Sequence, residues 1–174
     1  MKHFLIVVDM QKDFVDGALG TPEAVAIVPA VCEKIRSFEG EIIVTYDTHP
    51  ATYLDTAEGK KLPVAHCIKG TLGWQLDVNV LTTLAEREWF IVEKPTFGST
   101  DLPELIAEEA EDEPFDITLI GLCTDICVVS NALLLKAHFP EVPIFVVADC
   151  CAGVTPETHA AALTTMKMCQ IDVI

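Results

Sequence analysis

Positive charge is scarce in this sequence. Eleven lysines and arginines face 27 aspartates and glutamates, a formal charge of -16 over 174 residues. Such a chain repels polyphosphates at long range, which argues against a nucleic-acid partner. Long apolar runs are also missing. The longest near the start, Phe4 to Val8, ends at Asp9, too short for a membrane span or a secretion signal. No glycine-rich phosphate fingerprint follows it, which disfavours a dinucleotide site. Seven cysteines, an odd number, form no C-x-x-C pair and no regular framework. Reduced thiols in a cytoplasmic setting fit that pattern best. Repeats, low-complexity segments and linkers are absent, so residues 1–174 read as a single domain.

What the chain has in excess is apolar surface. Hydrophobic residues make up 51% and mean hydropathy is +0.39. A parallel sheet covered on both faces accounts for much of this, and self-association into a dimer or tetramer would close off more. Apolar, β-branched runs predict strands at 3–8, 41–46, 89–92, 117–120 and 143–148, with 171–174 as an edge strand. Helical spacing predicts a helix ending near Phe38, with Val28, Val31, Cys32 and Ile35 inward and Pro29 in its first turn. Further helices are predicted around 74–86, over 101–110 with Asp101 as cap, over 128–138, and from Thr155-Pro156-Glu157 to about Met168. The stretch between Asp47 and Trp74 reads as mostly irregular, and long loops in compact domains usually bind something. Alternating strands and helices predict a three-layer α/β/α fold with a mostly parallel sheet of five or six strands. Ligands bind such sheets outside the carboxyl ends of the strands. Asp9, Asp47 with His49, Lys94, and a turn carrying Cys127 each fall just past a different strand.

That last turn is the most informative stretch. Gly121 breaks the strand, Thr124 and Asp125 are both good N-cap residues, and Cys127 falls in the first helical turn. Unpaired amides and the helix dipole there favour a thiolate. Asp9 can take the thiol proton, and Lys94 can hold that carboxylate in place. The backbone N–H groups of Cys123 and Cys127 can form an oxyanion hole. Separately, Asp47 and His49 emerge on one side of an extended segment. With His66 they make a three-ligand set for a divalent metal, zinc first, with iron or manganese as alternatives. Glu58 is a candidate further ligand and Asp55 a weaker rival.

These motifs resemble the isochorismatase-like cysteine hydrolases, and within them the nicotinamidase branch. The resemblance rests on Val8-Asp9-Met10-Gln11-Lys12-Asp13-Phe14, Asp47-Thr48-His49, His66-Cys67-Ile68-Lys69-Gly70-Thr71, Lys94, Gly121 to Val128, and Asp149 with Ala152-Gly153. It implies a Rossmann-like fold and a Cys127–Asp9–Lys94 triad. It also implies a cis peptide between Leu122 and Cys123, a metal on Asp47, His49 and His66, and Phe14 lining the substrate pocket. The implied activity is thiol-dependent hydrolysis of a small carboxamide through a thioester, with nicotinamide the leading substrate. Where that family carries a second pocket aromatic, this chain has Leu62-Pro63-Val64-Ala65, leaving Trp74 or Phe97 to supply a ring. Two alternatives are a hydrolase of the same family acting on a carbamoyl or ureido compound, and a non-catalytic ligand-binding or thiol-redox module. No role is matched to Cys67, Cys150 or Cys151.

Overall fold

Phe4 to Val8 have no exposed surface, so the first strand is buried on both faces. A computed structural model describes every residue, Met1–Ile174. Strand β1 (Lys2–Val8) pairs in parallel with β2 (Glu41–Asp47) on one side and β4 (Phe115–Leu122) on the other. With β3 (Phe90–Lys94), β5 (Ile144–Ala152) and β6 (Asp172–Val173), the sheet order is β3-β2-β1-β4-β5-β6, parallel throughout. The order reverses between β1 and β4. That reversal opens a crevice at the carboxyl ends of these two strands, the place where such sheets bind ligands.

Odd and even residues of β1 feed different layers. Leu5 and Val7 pack with α2 (Pro22–Ser37) and α4 (Val78–Leu84) in a layer that also holds Met10 and Phe14 of the β1–α1 corner, α1 being Lys12–Val15. Phe4, Ile6 and Val8 pack with α5 (Leu102–Ala110), α6 (Val129–His138) and α7 (Pro156–Met168). The two layers hold 21 and 19 buried residues, so neither face of the sheet is left to solvent. This is the three-layer α/β/α arrangement that the strand–helix alternation predicts, with six strands.

Several local expectations are corrected. Pro29 lies inside α2, not in its first turn, because Thr21 accepts the Ala24 N–H and Pro22 takes the first helical position. Pro29 faces solvent, while Val28, Val31, Cys32 and Ile35 are buried and hold the helix on the sheet. Gly121 does not end β4. At φ +118° it stays within the strand, and a Cβ there would sit 2.1 Å from the Val8 carbonyl oxygen. Only glycine allows β1 and β4 to approach this closely. β5 likewise runs past Ala148 to Ala152, its register slipping so that Gly121 lies beside Cys151. The irregular stretch contains a 3₁₀ turn (Tyr53–Asp55) and α3 (Ala57–Lys61), capped by Thr56. Asp101 precedes α5 without capping it; Ser99 Oγ accepts the Asp101 and Leu102 N–H groups instead.

Candidate active site

β1, β2, β3 and the turn after β4 deliver one polar group each to the crevice. Asp9 follows β1 directly and adopts φ +46°, a left-handed conformation that surrounding structure must hold in place. Its Oδ1 accepts the Thr45 hydroxyl at 2.6 Å, and its Oδ2 lies 2.6 Å from Lys94 Nζ. Lys94 closes β3, and its Nζ also reaches Cys127 Sγ at 3.5 Å and the Thr96 carbonyl at 3.1 Å. The Asp9 and Lys94 side chains are fully inaccessible, and Cys127 is 3% exposed. Three groups distant in sequence therefore meet in one buried cluster.

Burial controls their proton affinities. It pushes the Asp9 carboxyl up, against the opposing pull of the Lys94 ammonium. It pushes the Cys127 thiol well up too, and the Asp9 charge adds to the rise. Burial alone would lower Lys94, but the charges of Asp9 and Asp47 and the hydrogen bond to Asp9 outweigh it and hold the ammonium protonated. Desolvation thus works against the thiolate that the helix start favours, and a carboxylate stands beside the sulfur to take its proton.

The turn that bears Cys127 also departs from expectation. Residues Thr124–Val128 form a π-helical turn after Cys123, closed by the Val128 N–H on the Cys123 carbonyl at 3.1 Å. Neither Thr124 nor Asp125 caps it: Thr124 Oγ1 bonds His159 Nδ1, and Asp125 accepts the Val154 N–H. The Leu122–Cys123 peptide is cis. The Cys123 N–H donates to no other backbone or side-chain group, so it is free to meet an oxyanion.

Beside this cluster lie Asp47, His49 and His66, with one ligand atom from each all within 4.8 Å of one another. Asp47 Oδ2 is 2.9 Å from His49 Nε2 and 3.5 Å from His66 Nε2. The Val64 carbonyl lies 2.8 Å from His66 Nδ1 and accepts its hydrogen, which leaves Nε2 free as a donor to metal. Glu58 Oε1 stands 3.6 and 3.7 Å from the two imidazoles, whereas Asp55 is exposed and outside the group. Asp47 Oδ1 is buried with no hydrogen-bond partner and lies 3.7 Å from Lys94 Nζ, while Oδ2 faces the two imidazoles. The donor set suits a divalent metal with open positions. Although burial alone would raise Asp47, the His49 and His66 imidazoles beside it and the Lys94 ammonium hold its carboxyl well below the usual carboxylate range.

Between the two clusters is a small, partly enclosed cavity of about 40 Å³, lined by Phe14, Asp47, His66, Phe97, Cys123 and Cys127 among others. It opens into an outer recess of about 560 Å³ that shares Glu58, Leu62, Phe97 and Ile126. Phe97 therefore supplies the second ring. Trp74 does not, since its indole packs on Tyr46 and donates to Thr48 Oγ1.

Four supporting residues have no role assigned from the sequence, although Gln11 stands within a motif that carries the family resemblance. Gln11 accepts the Asp47 N–H through Oε1 at 2.7 Å and donates to the Asp47 carbonyl through Nε2 at 2.8 Å, clamping that peptide. Thr45 fixes Asp9. Tyr53 packs its ring against both His49 and His66. Asn131 donates to the Cys127 carbonyl and accepts the Ser99 N–H. For Gln11 that motif is the signal; Thr45, Tyr53 and Asn131 are each a polar group or a lone aromatic in a segment otherwise read as apolar or irregular.

Fold and site together define an α/β protein with a cysteine, aspartate and lysine at the switch point of a parallel sheet. The model of the isochorismatase domain matches residues 3–174, and the chain belongs to the isochorismatase family. A Bacillus subtilis isochorismatase family protein, PncA, is 29% identical over 94% of this chain and 93% of its own. The nicotinamidase of Saccharomyces cerevisiae is 24% identical over 74% of this chain and 79% of its own. Among solved structures, the Pyrococcus horikoshii pyrazinamidase in complex with zinc superposes with a TM-score of 0.84 at 28% identity, covering 100% of this chain and 99% of that one.

Proposed function

We propose that this chain is a cysteine-dependent amidohydrolase that converts a small carboxamide, nicotinamide first, to the carboxylic acid and ammonia. One observation carries the reading: Lys94 Nζ stands 2.6 Å from Asp9 and 3.5 Å from Cys127, with the Asp9 and Lys94 side chains both buried. Asp9 takes the Cys127 proton as sulfur bonds to the carboxamide carbon. The oxyanion is held by the N–H groups of Cys123 and Cys127. Asp9 returns the proton to the departing nitrogen, the C–N bond breaks, ammonia leaves, and a thioester remains. Asp9 then takes a proton from water, hydroxide attacks the thioester, and the acid is released with the thiol restored. Lys94 keeps Asp9 ionised and aimed throughout.

Asp47, His49 and His66, with Glu58 beside them, would hold a divalent cation, zinc first and iron or manganese as alternatives. Such an ion supplies a Lewis-acid anchor for a ring nitrogen or for water. Phe14 and Phe97 flank the space that a flat ring would fill. The nicotinamidase and pyrazinamidase names of similar proteins support the same substrate class. Seven unpaired thiols favour a reducing, cytoplasmic setting. Phe90 and Ile91, exposed on edge strand β3, favour a homo-oligomer.

The test is ammonia release from nicotinamide, pyrazinamide and ureido compounds, with and without chelator, by the parent and by Cys127→Ala. Turnover of the carboxamides by the parent alone is expected. Ammonia release by C127A at the parent rate rules out the covalent scheme, and a parent active only on ureido compounds moves the substrate class.

A further inference from the structure

We infer that His159 is a positioning residue for the turn that carries the nucleophile, a role that rests on the reading of Cys127 given above. His159 belongs to α7, a different element from any that supplies the site. Its Nδ1 lies 2.8 Å from the hydroxyl of Thr124, which is fully buried and makes no other hydrogen bond. The adjacent residue is tied to the same piece of chain, since both carboxylate oxygens of Asp125 lie 3.2 Å from the Val154 N–H in the β5–α7 loop. Consecutive residues of the π turn are thus gripped from behind by the start of α7. A Cβ at Gly153 would sit 2.8 Å from the His159 backbone nitrogen, so this loop packs directly on the helix.

The grip matters because the turn lacks ordinary support. It has no side-chain cap of its own, yet its course sets where the free Cys123 N–H and the Cys127 sulfur lie. A helix start without a cap frays readily. Holding it from α7 fixes the oxyanion donors before substrate arrives, which is where misplacement costs rate. Neither His159 nor Thr124 lines the inner cavity, so the pair should act on turnover and not on substrate affinity. His159 also borders an open recess of about 310 Å³. Removing its ring widens that recess and leaves no closed hole in the core.

The experiment uses the full chain with His159→Ala, His159→Asn, Thr124→Val, Thr124→Ser and the double variant H159A/T124V. Steady-state kinetics are measured on whichever carboxamide the parent turns over, alongside thermal unfolding. H159A and T124V should each lower kcat about ten-fold with KM held within about two-fold. H159N, whose side-chain amide can accept or donate where Nδ1 meets the hydroxyl, and T124S should recover most of the loss. The double variant should lose no more than either single one, as expected for one shared interaction. A lower unfolding temperature in H159A with kcat unchanged makes the residue merely structural and overturns the inference, as does a KM effect alone.

A turnover-independent readout is addition of pyridine-3-carbaldehyde. The Cys127 sulfur bonds to the carbonyl carbon and the thiol proton passes to the former carbonyl oxygen, giving a hemithioacetal whose oxygen lies at the same amides. Its affinity should fall about ten-fold in H159A and recover in H159N. A parent that gives neither product nor adduct overturns the reading of Cys127, and this inference with it. A parent that gives either, with H159A unchanged, overturns this inference alone.

Discussion

Lys94 is a buried ammonium on the last residue of an edge strand, and its cost is offset only because two acidic groups meet it. Replacing it by methionine keeps the length of the side chain but leaves the Asp9 carboxylate with the Thr45 hydroxyl alone. Removing one partner of a buried pair costs about 3–5 kcal/mol, so Lys94→Met should lose on that order in urea denaturation. The double variant D9N/K94M should regain most of it. A K94M protein as stable as the parent would mean that the pair is not held as ions. The same carboxyl sets a pH limit. Only ionised Asp9 can accept the thiol proton, and burial raises its affinity above the ordinary value of 3.8. The acid limb of kcat/KM should therefore lie above the usual carboxylate range, and a limb at or below 3.8 would contradict the assignment. Stability moves the other way. With the folded value raised, this group's contribution is complete below the unfolded value and is lost as pH rises through the folded one. Activity is gained in the window where that contribution is given up, as a functional site can require.

At the scale of elements, the site depends on how closely β1 and β4 run at their carboxyl ends. Gly121 sets this distance. Alanine there would place its Cβ 2.1 Å from the Val8 carbonyl oxygen and 2.8 Å from the Val8 nitrogen, at φ +118°. Strand separation must follow, moving Asp9 away from the Cys127 turn. Gly121→Ala should cost about 3 kcal/mol from backbone strain and lose far more activity than the unfolded fraction explains. Denaturation and kcat measured on one preparation check both. This residue also marks the boundary of what could be read in the sequence. A glycine after Ile117–Ile120 looks like a strand end, and nothing local reveals that a neighbouring backbone requires the missing Cβ. Proline misled for a related reason: Pro29 resembles a helix start, but the burial of Val28, Val31, Cys32 and Ile35 carries α2 straight through it. By contrast, β1 and the Thr155-Pro156 start of α7 were legible, since uniform burial and a capping box leave local signatures. Asp9, Lys94 and Cys127 could be listed as strand-end candidates, and the resemblance grouped them. Gln11, Thr45 and Asn131 could not be placed, because their partners are brought in by tertiary folding alone.

For the whole molecule, the decisive quantity is the charge of -16 and what it does around one buried set of ligands. An acidic surface concentrates cations near every opening, while Asp47, His49 and His66 sit at the inner end of one such opening. These ligands come from two places: the end of β2, and the far side of the Tyr53–Leu62 segment, which Tyr53 closes through its hydroxyl on the Leu62 carbonyl. A metal bound there would cross-link that segment to the sheet, and anything that binds only the folded chain stabilises it by mass action. Zinc at a hundred times its dissociation constant should add about 2.7 kcal/mol, seen as a rise in unfolding temperature that a chelator reverses. His66→Ala removes one ligand of three and should abolish the rise, whereas C127A, which leaves the set complete, should keep it. Salt should weaken the apparent affinity by screening the acidic surface without changing the stoichiometry of one per chain. An equal rise in H66A and the parent would place the metal on the acidic exterior and not on the three buried ligands.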